Sequence, residues 1–436
     1  MTSRVADAAP RGLQRILGLG FGLAVIIGST IGVGILRTPG LVAAQVPHAP
    51  SIMAIWVVGG LYTLLGAVCF TELGTMMPQA GGYYVYARRA FGTMMGFTVG
   101  WTDWLTYCAV LGYISIGLGE FSAVLFPGVA PFVKPIAVTA LVAFVALQWT
   151  GLRVSSRFQE VATALKFAAF VALVLACLAF SGGSAPEATA RTFSFAGVIV
   201  ALQSVIITYG GWQSALYFTE EDRDPGRHLP RAMIGGVASV IVVYALVNVA
   251  LLSVLPIAAL AQSTLPAADA AQLVLGGRGR QAITILSIVS LAPLLNAIMM
   301  IGTRILFALG RDGFLSAATA RVNAGGTPTV ATVVTTIVAV ALIATGTFQL
   351  LVAVASFLLA LNYFVCCLAL IVLRRREPGA PRPFRAWGYP WSAVIVAAGA
   401  GAFAIAALVA DPRSALLALV LLAGGLIAQA AVRQRR

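Results

Sequence analysis

The chain has 436 residues, of which 60% are hydrophobic and 10% are charged, and its mean hydropathy is +0.96. Soluble domains carry about 25% charged residues, so this composition excludes a soluble enzyme, a disordered chain and a collagen-like chain. The formal net charge of +14 does not indicate a nucleic-acid partner, because no dense basic run has aromatic residues interleaved for base stacking. The basic residues lie between apolar stretches, as in the cytoplasmic loops of proteins embedded in a lipid bilayer.

The sequence contains no recognisable catalytic, metal-binding or nucleotide-binding motif. The five cysteines lie in apolar stretches without a Cys-x-x-Cys pair, so neither a zinc site nor a disulfide is expected. No Walker loop, catalytic-triad order or metal-ligand spacing occurs. His48 and His228 fall in predicted loops without a carboxylate or cysteine cluster nearby. We therefore expect no metal, no cofactor, no catalytic residue and no ATP-driven pumping.

Long uncharged runs predict an all-α polytopic membrane protein with 12 transmembrane helices, since about 20 apolar residues cross a bilayer. A Thr-Gly-Thr turn at 345–347 divides the charge-free stretch 322–373 into two of them. The predicted spans are 17–44, 51–77, 92–120, 134–151, 159–180, 196–221, 230–255, 281–309, 327–345, 348–373, 391–410 and 413–432, with tails at 1–16 and 433–436.

The distribution of basic residues predicts the orientation. With both termini inside, the inner loops, tails and inner span ends hold 21 Arg, whereas the outer loops and outer span ends hold six basic residues. Those six are Arg37, Lys134, Arg191, Arg278, Arg280 and Arg413. Because cytoplasmic loops carry the excess of Lys and Arg, we expect cytoplasmic N- and C-termini in a plasma membrane, as in a bacterial inner membrane.

Glycines interrupt two of the predicted spans near their middles. Span 1 carries Gly28, Gly32 and Gly34, and span 6 carries Tyr209-Gly210-Gly211-Trp212. Close helix packing explains a Gly-x-x-x-Gly spacing, but neither Gly32-x-Gly34 nor the Gly210-Gly211 pair has that spacing. We therefore expect spans 1 and 6 to be discontinuous. Interruptions five spans apart predict two inverted five-helix repeats, 17–180 and 196–373, with 391–432 outside them.

Unwound backbone inside a membrane must line a cavity or lie within protein, because lipid cannot satisfy its N–H and C=O groups. An amino acid supplies matching groups. Its carboxylate suits the free N–H groups at the positive end of a half-helix, and its ammonium suits carbonyls at the negative ends. The interrupted spans therefore predict an amino acid site.

At these residues the chain resembles the amino acid–polyamine–organocation superfamily, and within it the L-type amino acid transporter light chains and their bacterial relatives. The resemblance covers about residues 15–375 and rests on four motifs in the same order. They are Gly28-Ser29-Thr30-Ile31-Gly32-Val33-Gly34-Ile35 with Thr38-Pro39; Glu72-Leu73-Gly74 with Pro78 and Ala80-Gly81-Gly82-Tyr83-Tyr84-Val85-Tyr86; Tyr209-Gly210-Gly211-Trp212 with Glu220-Glu221, Pro225, Arg227 and Leu229-Pro230-Arg231; and Asn296, Arg304, Arg311-Asp312-Gly313 and Thr327-Pro328.

The resemblance implies the fold of the bacterial leucine transporter and a substrate site at the two interruptions. By position, Val33 and Gly34 give N–H groups to the carboxylate, and Thr30, Ile207 and Gly210 give carbonyls to the ammonium. The flanking residues of the same site are Ile31, Gly32, Tyr209, Gly211 and Trp212. Family members often have Ser or Thr at the position of Val33 and an aromatic gate at that of Ile207, which leaves side-chain preference open.

The resemblance also bears on partners. Animal light chains carry a cysteine between spans 3 and 4 that binds a heavy chain. Residues 121–133 contain no cysteine, so a covalent heavy-chain partner is not expected. Oligomeric state is not indicated.

Lys166 lies about eight residues into predicted span 5, about 12 Å from its start. Snorkelling to the headgroups is one interpretation. In the resembled family, a lysine here stands where sodium-coupled relatives hold sodium, which implies sodium-independent transport. We expect its ammonium to be held by carbonyls or hydroxyls near the interruption in span 1, bracing it against span 8.

Three acids fall within or beside predicted spans. Asp103 lies inside span 3, where it either makes a structural hydrogen bond or relays protons. Glu120 and Glu72 lie near span ends and are predicted to be interfacial.

The sequence favours a secondary transporter of neutral L-amino acids that works by alternating access, either as an exchanger or as a proton symporter. Gln213 rather than an acid follows Trp212, which disfavours cationic substrates. The alternative is a polyamine or organic cation carrier, which requires an acid in its cavity; Asp103 is the candidate. A membrane-embedded enzyme and a channel are disfavoured.

Overall fold

Helices form almost all of the computed structural model, which describes residues 12–179 and 194–434. Within those ranges there are 16 α-helices, three 3-10 helices and no β-strand. The predicted N-terminal tail up to residue 11, Arg191, and residues 435–436 of the C-terminal tail lie outside the described residues.

The α-helices are as follows in chain order: α1 Leu19–Thr30, α2 Gly34–Ala43, α3 Ala49–Met76, α4 Tyr83–Phe91, α5 Thr93–Leu125, α6 Val133–Trp149, α7 Leu152–Ala179, α8 Phe195–Thr208, α9 Pro225–Val254, α10 Ile257–Gln262, α11 Pro266–Leu275, α12 Gly277–Arg311, α13 Thr329–Thr345, α14 Phe348–Arg376, α15 Trp391–Ala410 and α16 Pro412–Gln434. The 3-10 helices are Pro127–Phe132, Trp212–Phe218 and Ala317–Ala320.

Length and apolarity identify the helices that can cross a membrane. Nine helical segments in the described ranges qualify, and α1 with α2, bent by 45°, makes a tenth. Two shorter apolar helices, Thr329–Thr345 and Pro412–Leu426, occupy the positions of predicted spans 9 and 12. An all-α polytopic membrane protein is therefore confirmed.

Several predicted boundaries are wrong because helices run past the uncharged stretches. Span 5 begins at Leu152 rather than 159, and the added turns carry Arg153, Arg157 and Glu160. Arg157 and Glu160 pair at 3.6 Å on an exposed surface, so the helix keeps its charges outside the apolar core. Lys166 therefore lies 14 residues into α7 instead of about eight.

Two stretches expected to be loops contain helices. The connection after span 2 includes α4, and the connection after span 7 includes α10 and α11. Both were missed because the helices are short. The buried face of α4 is aromatic, with Tyr83, Tyr84 and Tyr86 packed into the protein.

α5 is the central helix of the fold. It packs against α4, α6, α12, α13 and α14, so its buried residues face the interior from several sides. α1 packs between α7, α9 and α12, whereas α8 lies against α2 and α3. This arrangement brings the interrupted segments of spans 1 and 6 together beside α5.

Glu72 lies near the end of α3, as expected, but it is buried there rather than exposed. Its carboxylate is fully buried and pairs with Arg374 at 2.5 Å and with Arg382 at 3.0 Å. It also accepts the Ala386 N–H at 2.7 Å. A buried carboxylate requires such partners, and these link the end of α3 to the connection between α14 and α15.

One further placement is corrected. His228 lies in α9 and its Nδ1 is 2.7 Å from Asp222 Oδ1, so a carboxylate is beside it after all. Glu120 is exposed near the end of α5, which continues to Leu125, in keeping with its expected place at a span end.

Candidate functional site

The chain leaves helical geometry at both predicted interruptions. α1 ends at Thr30 and α2 begins at Gly34. α8 ends at Thr208, and a 3-10 helix begins at Trp212 after a turn at Gly211, whose φ is +114°. Only glycine adopts this φ readily, so the second glycine of the pair is required by the turn.

The two interruptions touch each other. A Cβ atom at Gly211 would lie 2.5 Å from the Ser29 carbonyl oxygen and 2.9 Å from the Thr30 nitrogen. The buried Thr38 and Thr208 hydroxyls are 2.7 Å apart and join α2 to the end of α8. Spans 1 and 6 therefore meet through backbone at a point where larger residues do not fit.

Tyr244 of α9 bridges the same two helix ends. Its hydroxyl oxygen lies 2.7 Å from the Thr30 carbonyl and 3.1 Å from the Thr208 carbonyl. A hydroxyl has one proton to donate, so it serves one carbonyl at a time. The Thr30 carbonyl predicted to bind an ammonium group thus already has a protein donor beside it, although a carbonyl can accept two hydrogen bonds.

Lys166 lies where the sequence predicted, beside the interruption in span 1. Its Nζ donates to the Gly28 carbonyl at 2.9 Å and to the Ser290 carbonyl at 3.0 Å. Gly28 is in the last turn of α1, where carbonyls lack helical partners, and Ser290 is in α12. The side chain is 1% exposed, which rules out snorkelling in this structure and confirms the expected contacts.

A cavity of about 320 Å³ adjoins the interruption in span 6. Its wall is formed mainly by apolar and aromatic side chains, and the described residues that line it include no Asp, Glu, Lys or Arg. α8 contributes Ile199, Leu202, Gln203, Ile206 and Ile207, and the last of these is 48% exposed. The cavity therefore offers apolar contact and backbone polar groups.

The predicted site residues divide between the cavity and its surroundings. Those that line it are Ile207, Gly210, Gly211 and Trp212. Those that do not are Thr30, Ile31, Gly32, Val33, Gly34 and Tyr209. Tyr209 is buried and donates to the Trp56 carbonyl at 3.2 Å. The structure thus places span 6 at the cavity more directly than span 1.

Sequence reasoning missed several lining residues. Ser29, next to predicted Thr30, lines the cavity with a buried hydroxyl that has no hydrogen-bond partner in the described structure. Tyrosines on three helices also line it: Tyr62, Tyr107, Tyr113 and Tyr363. Ser29 stood within the glycine motif, whereas the tyrosines gave no spacing signal because different helices supply them.

Asp103 lies outside the cavity lining, buried in α5. Its Oδ2 accepts a hydrogen bond from Tyr217 at 2.8 Å, while Oδ1 has no partner within the described chain. Tyr217 belongs to the 3-10 helix that follows the interruption in span 6. The predicted hydrogen bond to a neighbouring segment is therefore present.

One face of the bundle is closed by backbone and ionic contacts. Leu17 donates to the Glu221 carbonyl at 2.9 Å, and Arg223 donates back to the Leu17 carbonyl at 3.1 Å. The Arg304 guanidinium holds both oxygens of Glu221 at 3.0 Å with almost no exposure. Burial raises the pKa of the Glu221 carboxyl, and the guanidinium opposes that shift. We call these residues the closed face.

These features define a class of protein. Among the described residues, no three His, Cys, Asp or Glu side chains are placed to hold a metal ion. The bundle instead combines two interrupted membrane helices, a central cavity and one closed face, which is the geometry of a membrane transporter.

Comparison with known proteins identifies the family. The amino acid permease family model matches residues 22–421, and the chain belongs to that family. It is 26% identical over 432 residues to the serine/threonine exchanger SteT of Bacillus subtilis, covering 98% of each chain. It is 28% identical to the b(0,+)-type amino acid transporter 1 of Mus musculus, covering 86% of this chain and 79% of that one.

A third relative is the large neutral amino acids transporter small subunit 2 of Homo sapiens, 28% identical over 86% of this chain and 72% of its own length. The protein is therefore an amino acid permease and not an enzyme, as the sequence predicted.

Proposed function

We propose that this permease carries neutral L-amino acids through a plasma membrane, independently of sodium, by alternating access. The observation that carries the proposal is the uncharged lining of the cavity. A charged substrate side chain would lose its hydration there without gaining a counter-ion, at a cost of several kcal/mol. Neutral side chains instead gain from apolar contact, about 25 cal/mol per Å².

The α-ammonium and α-carboxylate groups need polar partners, and the interruptions supply them. The N–H groups of Val33 and Gly34 begin α2, where the helix dipole favours an anion, although in this structure the two residues lie outside the cavity lining. The carbonyls of Ile207 and Gly210 border the cavity and suit an ammonium group. The unpartnered Ser29 hydroxyl adds a further donor or acceptor.

The membrane arrangement is part of the proposal. α13 and α16 complete 12 spans, with 17–180 and 196–373 as inverted repeats and 391–432 outside them. Both termini are cytoplasmic, which puts the excess of Arg inside. The closed face then lies on the cytoplasmic side, so the structure corresponds to an outward-open or an occluded state.

Lys166 supports sodium independence. Its ammonium already joins α1 to α12 through two carbonyls, and a second cation beside it would be repelled. Exchange is supported by the similarity to the bacterial relative SteT, a serine/threonine exchanger. All five cysteines are buried, so we propose that no covalent subunit is attached.

A polyamine or organic cation carrier is less well supported. Such a substrate needs a carboxylate in the cavity, and Asp103 does not line it.

Counterflow into proteoliposomes tests the proposal. Liposomes loaded with unlabelled amino acid should take up labelled serine, threonine or leucine in choline buffer, while arginine and putrescine compete poorly. Methyl esters should compete poorly too, because the proposed carboxylate site offers N–H donors to a full negative charge. Liposomes with Gly211→Ala protein serve as a control for specific uptake. Uptake that requires sodium, or that putrescine abolishes, would contradict the proposal.

A further inference from the structure

Asp103 is a buried acid without a cationic partner in the described structure. The residue is 0% exposed in the middle of α5. The Tyr217 hydroxyl donates to one carboxyl oxygen, and the other oxygen has no partner. A carboxylate with one neutral donor and no counter-charge is costly inside a membrane.

Neutral hydroxyls and thiols surround this carboxyl group. Ionisable groups that interact electrostatically with it are Tyr107 of α5, Tyr83 and Tyr86 of α4, Tyr217 of the 3-10 helix, and Tyr363 and Cys366 of α14. Charges on the helices packed against α5 have other partners: Arg88 and Arg89 of α4 pair with Asp312 and Glu377, Arg280 and Arg311 of α12 with Asp269 and Glu220, and Arg374 of α14 with Glu72. Arg304 of α12 is bound by Glu221, Lys134 of α6 by the Ala344 carbonyl, Arg413 lies in the first turn of α16, and α13 has no ionisable side chain.

We propose that Asp103 is a proton-binding site that receives its proton from the substrate cavity through the Tyr107 and Tyr217 hydroxyls. Tyr107 lines the cavity and lies against Tyr217, whose hydroxyl donates to Asp103. The two rings pack edge to face with centroids 5.3 Å apart. A proton entering at Tyr107 thus passes through two hydroxyls to reach the carboxyl group.

The same chain of contacts reaches the substrate site. Gln213 donates to the Tyr107 hydroxyl at 3.4 Å, and its carbonyl oxygen accepts the Gly211 N–H at 3.2 Å. Gly211 lines the cavity at the interruption in span 6. An amino acid that contacts this turn therefore acts on the polar chain that ends at Asp103.

The step is a simple protonation, in which the carboxylate and a hydronium ion become a carboxylic acid and water. Opening of the closed face moves the 3-10 helix and takes Tyr217 away from α5. The carboxyl group then meets water, which stabilises its charged form, and the proton leaves on that side. The inference rests on the proposed function and adds to it that one proton accompanies the substrate, so that net proton-coupled uptake occurs besides exchange.

Uptake with and without a pH gradient, acidic outside, tests the coupling. One pH unit supports about tenfold accumulation per coupled proton, so wild-type protein should show uptake several-fold higher with the gradient. In Asp103→Asn the ratio should fall toward unity. Asp411→Asn, an exposed acid between α15 and α16, is the matched control and should keep the wild-type ratio. An Asp103→Asn ratio equal to that of wild type would overturn the inference.

Two measurements do not depend on the activity of the Asn variant. Substrate addition to wild-type liposomes containing a pH-sensitive dye should acidify the lumen, and Tyr217→Phe should weaken this signal several-fold. The infrared spectrum at neutral pH should contain a protonated-carboxyl band that Asp103→Asn lacks. A missing wild-type dye signal, or an unchanged band in the variant, would refute the proton site.

The two proposals fail differently. Absence of neutral amino acid counterflow in wild-type protein at every pH contradicts the proposed function. Counterflow that continues without a proton signal contradicts only the role of Asp103.

Discussion

Gly211 is in backbone contact with Ser29: a Cβ on the glycine would stand 2.5 Å from the serine carbonyl oxygen. The turn between α8 and the 3-10 helix therefore rests directly on the end of α1. The contact joins main-chain atoms in the last turn of α1 to the turn that follows α8.

Gly211→Ala should abolish transport while the protein still inserts. The substitution adds a steric clash to a positive φ that costs a non-glycine residue about 1–2 kcal/mol. Counterflow measures transport, and the yield of protein extracted in detergent measures insertion. Gly401→Ala is the control, since its Cβ would meet Phe364 at an ordinary 3.5 Å. Normal counterflow in Gly211→Ala would show that the contact is dispensable.

Lys166→Met should impair transport in sodium-free choline buffer, where wild-type protein is fully active. The variant keeps the length of the side chain but leaves the Gly28 and Ser290 carbonyls without their donor. An unmade buried hydrogen bond costs about 1–3 kcal/mol, enough to change the balance between states. Lys134→Met, at an exposed lysine that donates to the Ala344 carbonyl, provides a comparison. Strict sodium dependence of the wild type, or full activity of Lys166→Met, would contradict the role given to this residue.

Tyr244→Phe should lower apparent substrate affinity several-fold with little loss of expression. The hydroxyl bridges the ends of α1 and α8, and its hydrogen bond contributes about 0.5–1.5 kcal/mol. Tyr389→Phe is the matched control, because the Tyr389 ring packs against Arg374 and does not line the cavity. Concentration-dependent counterflow measures the effect, and equal affinities in the two variants would count against the bridge.

Arg304→Met should reduce thermal stability more than the double variant Arg304→Met with Glu221→Gln. Removing the cation alone leaves a buried carboxylate without its partner, which costs about 3–5 kcal/mol, whereas the double change removes both charges. The Tm of each variant in detergent shows which of the two is less stable. A double variant less stable than Arg304→Met would show that the pair does not stabilise the closed face through its charges.

Long uncharged runs and glycine placement were enough to predict a polytopic helical membrane protein and its two interruptions, because both are local. An apolar run longer than a bilayer specifies a membrane helix, and glycines near the centre weaken it. Lys166 was also placed correctly beside span 1, since a buried ammonium needs carbonyls and interrupted helices supply them.

Other features could not be predicted from spacing. Glu72 meets Arg374 and Arg382 across about 300 residues of chain, and the aromatic cavity wall is assembled from several helices. Helix ends were misjudged at Leu152 because charged turns extend beyond the membrane. Each of these depends on which helices become neighbours.

By itself the sequence determined that this chain is a helical membrane protein with two interrupted helices, because hydropathy and glycine position act along the chain, and its motifs carried the resemblance to amino acid permeases. Only the tertiary structure decided that Ser29 and four tyrosines line the cavity, that Tyr244 joins the two helix ends, and that Asp103 connects to the cavity through Tyr217 and Tyr107. The physical reason is that these contacts join residues far apart in sequence, and packing between helices, not local pattern, sets the distances between them.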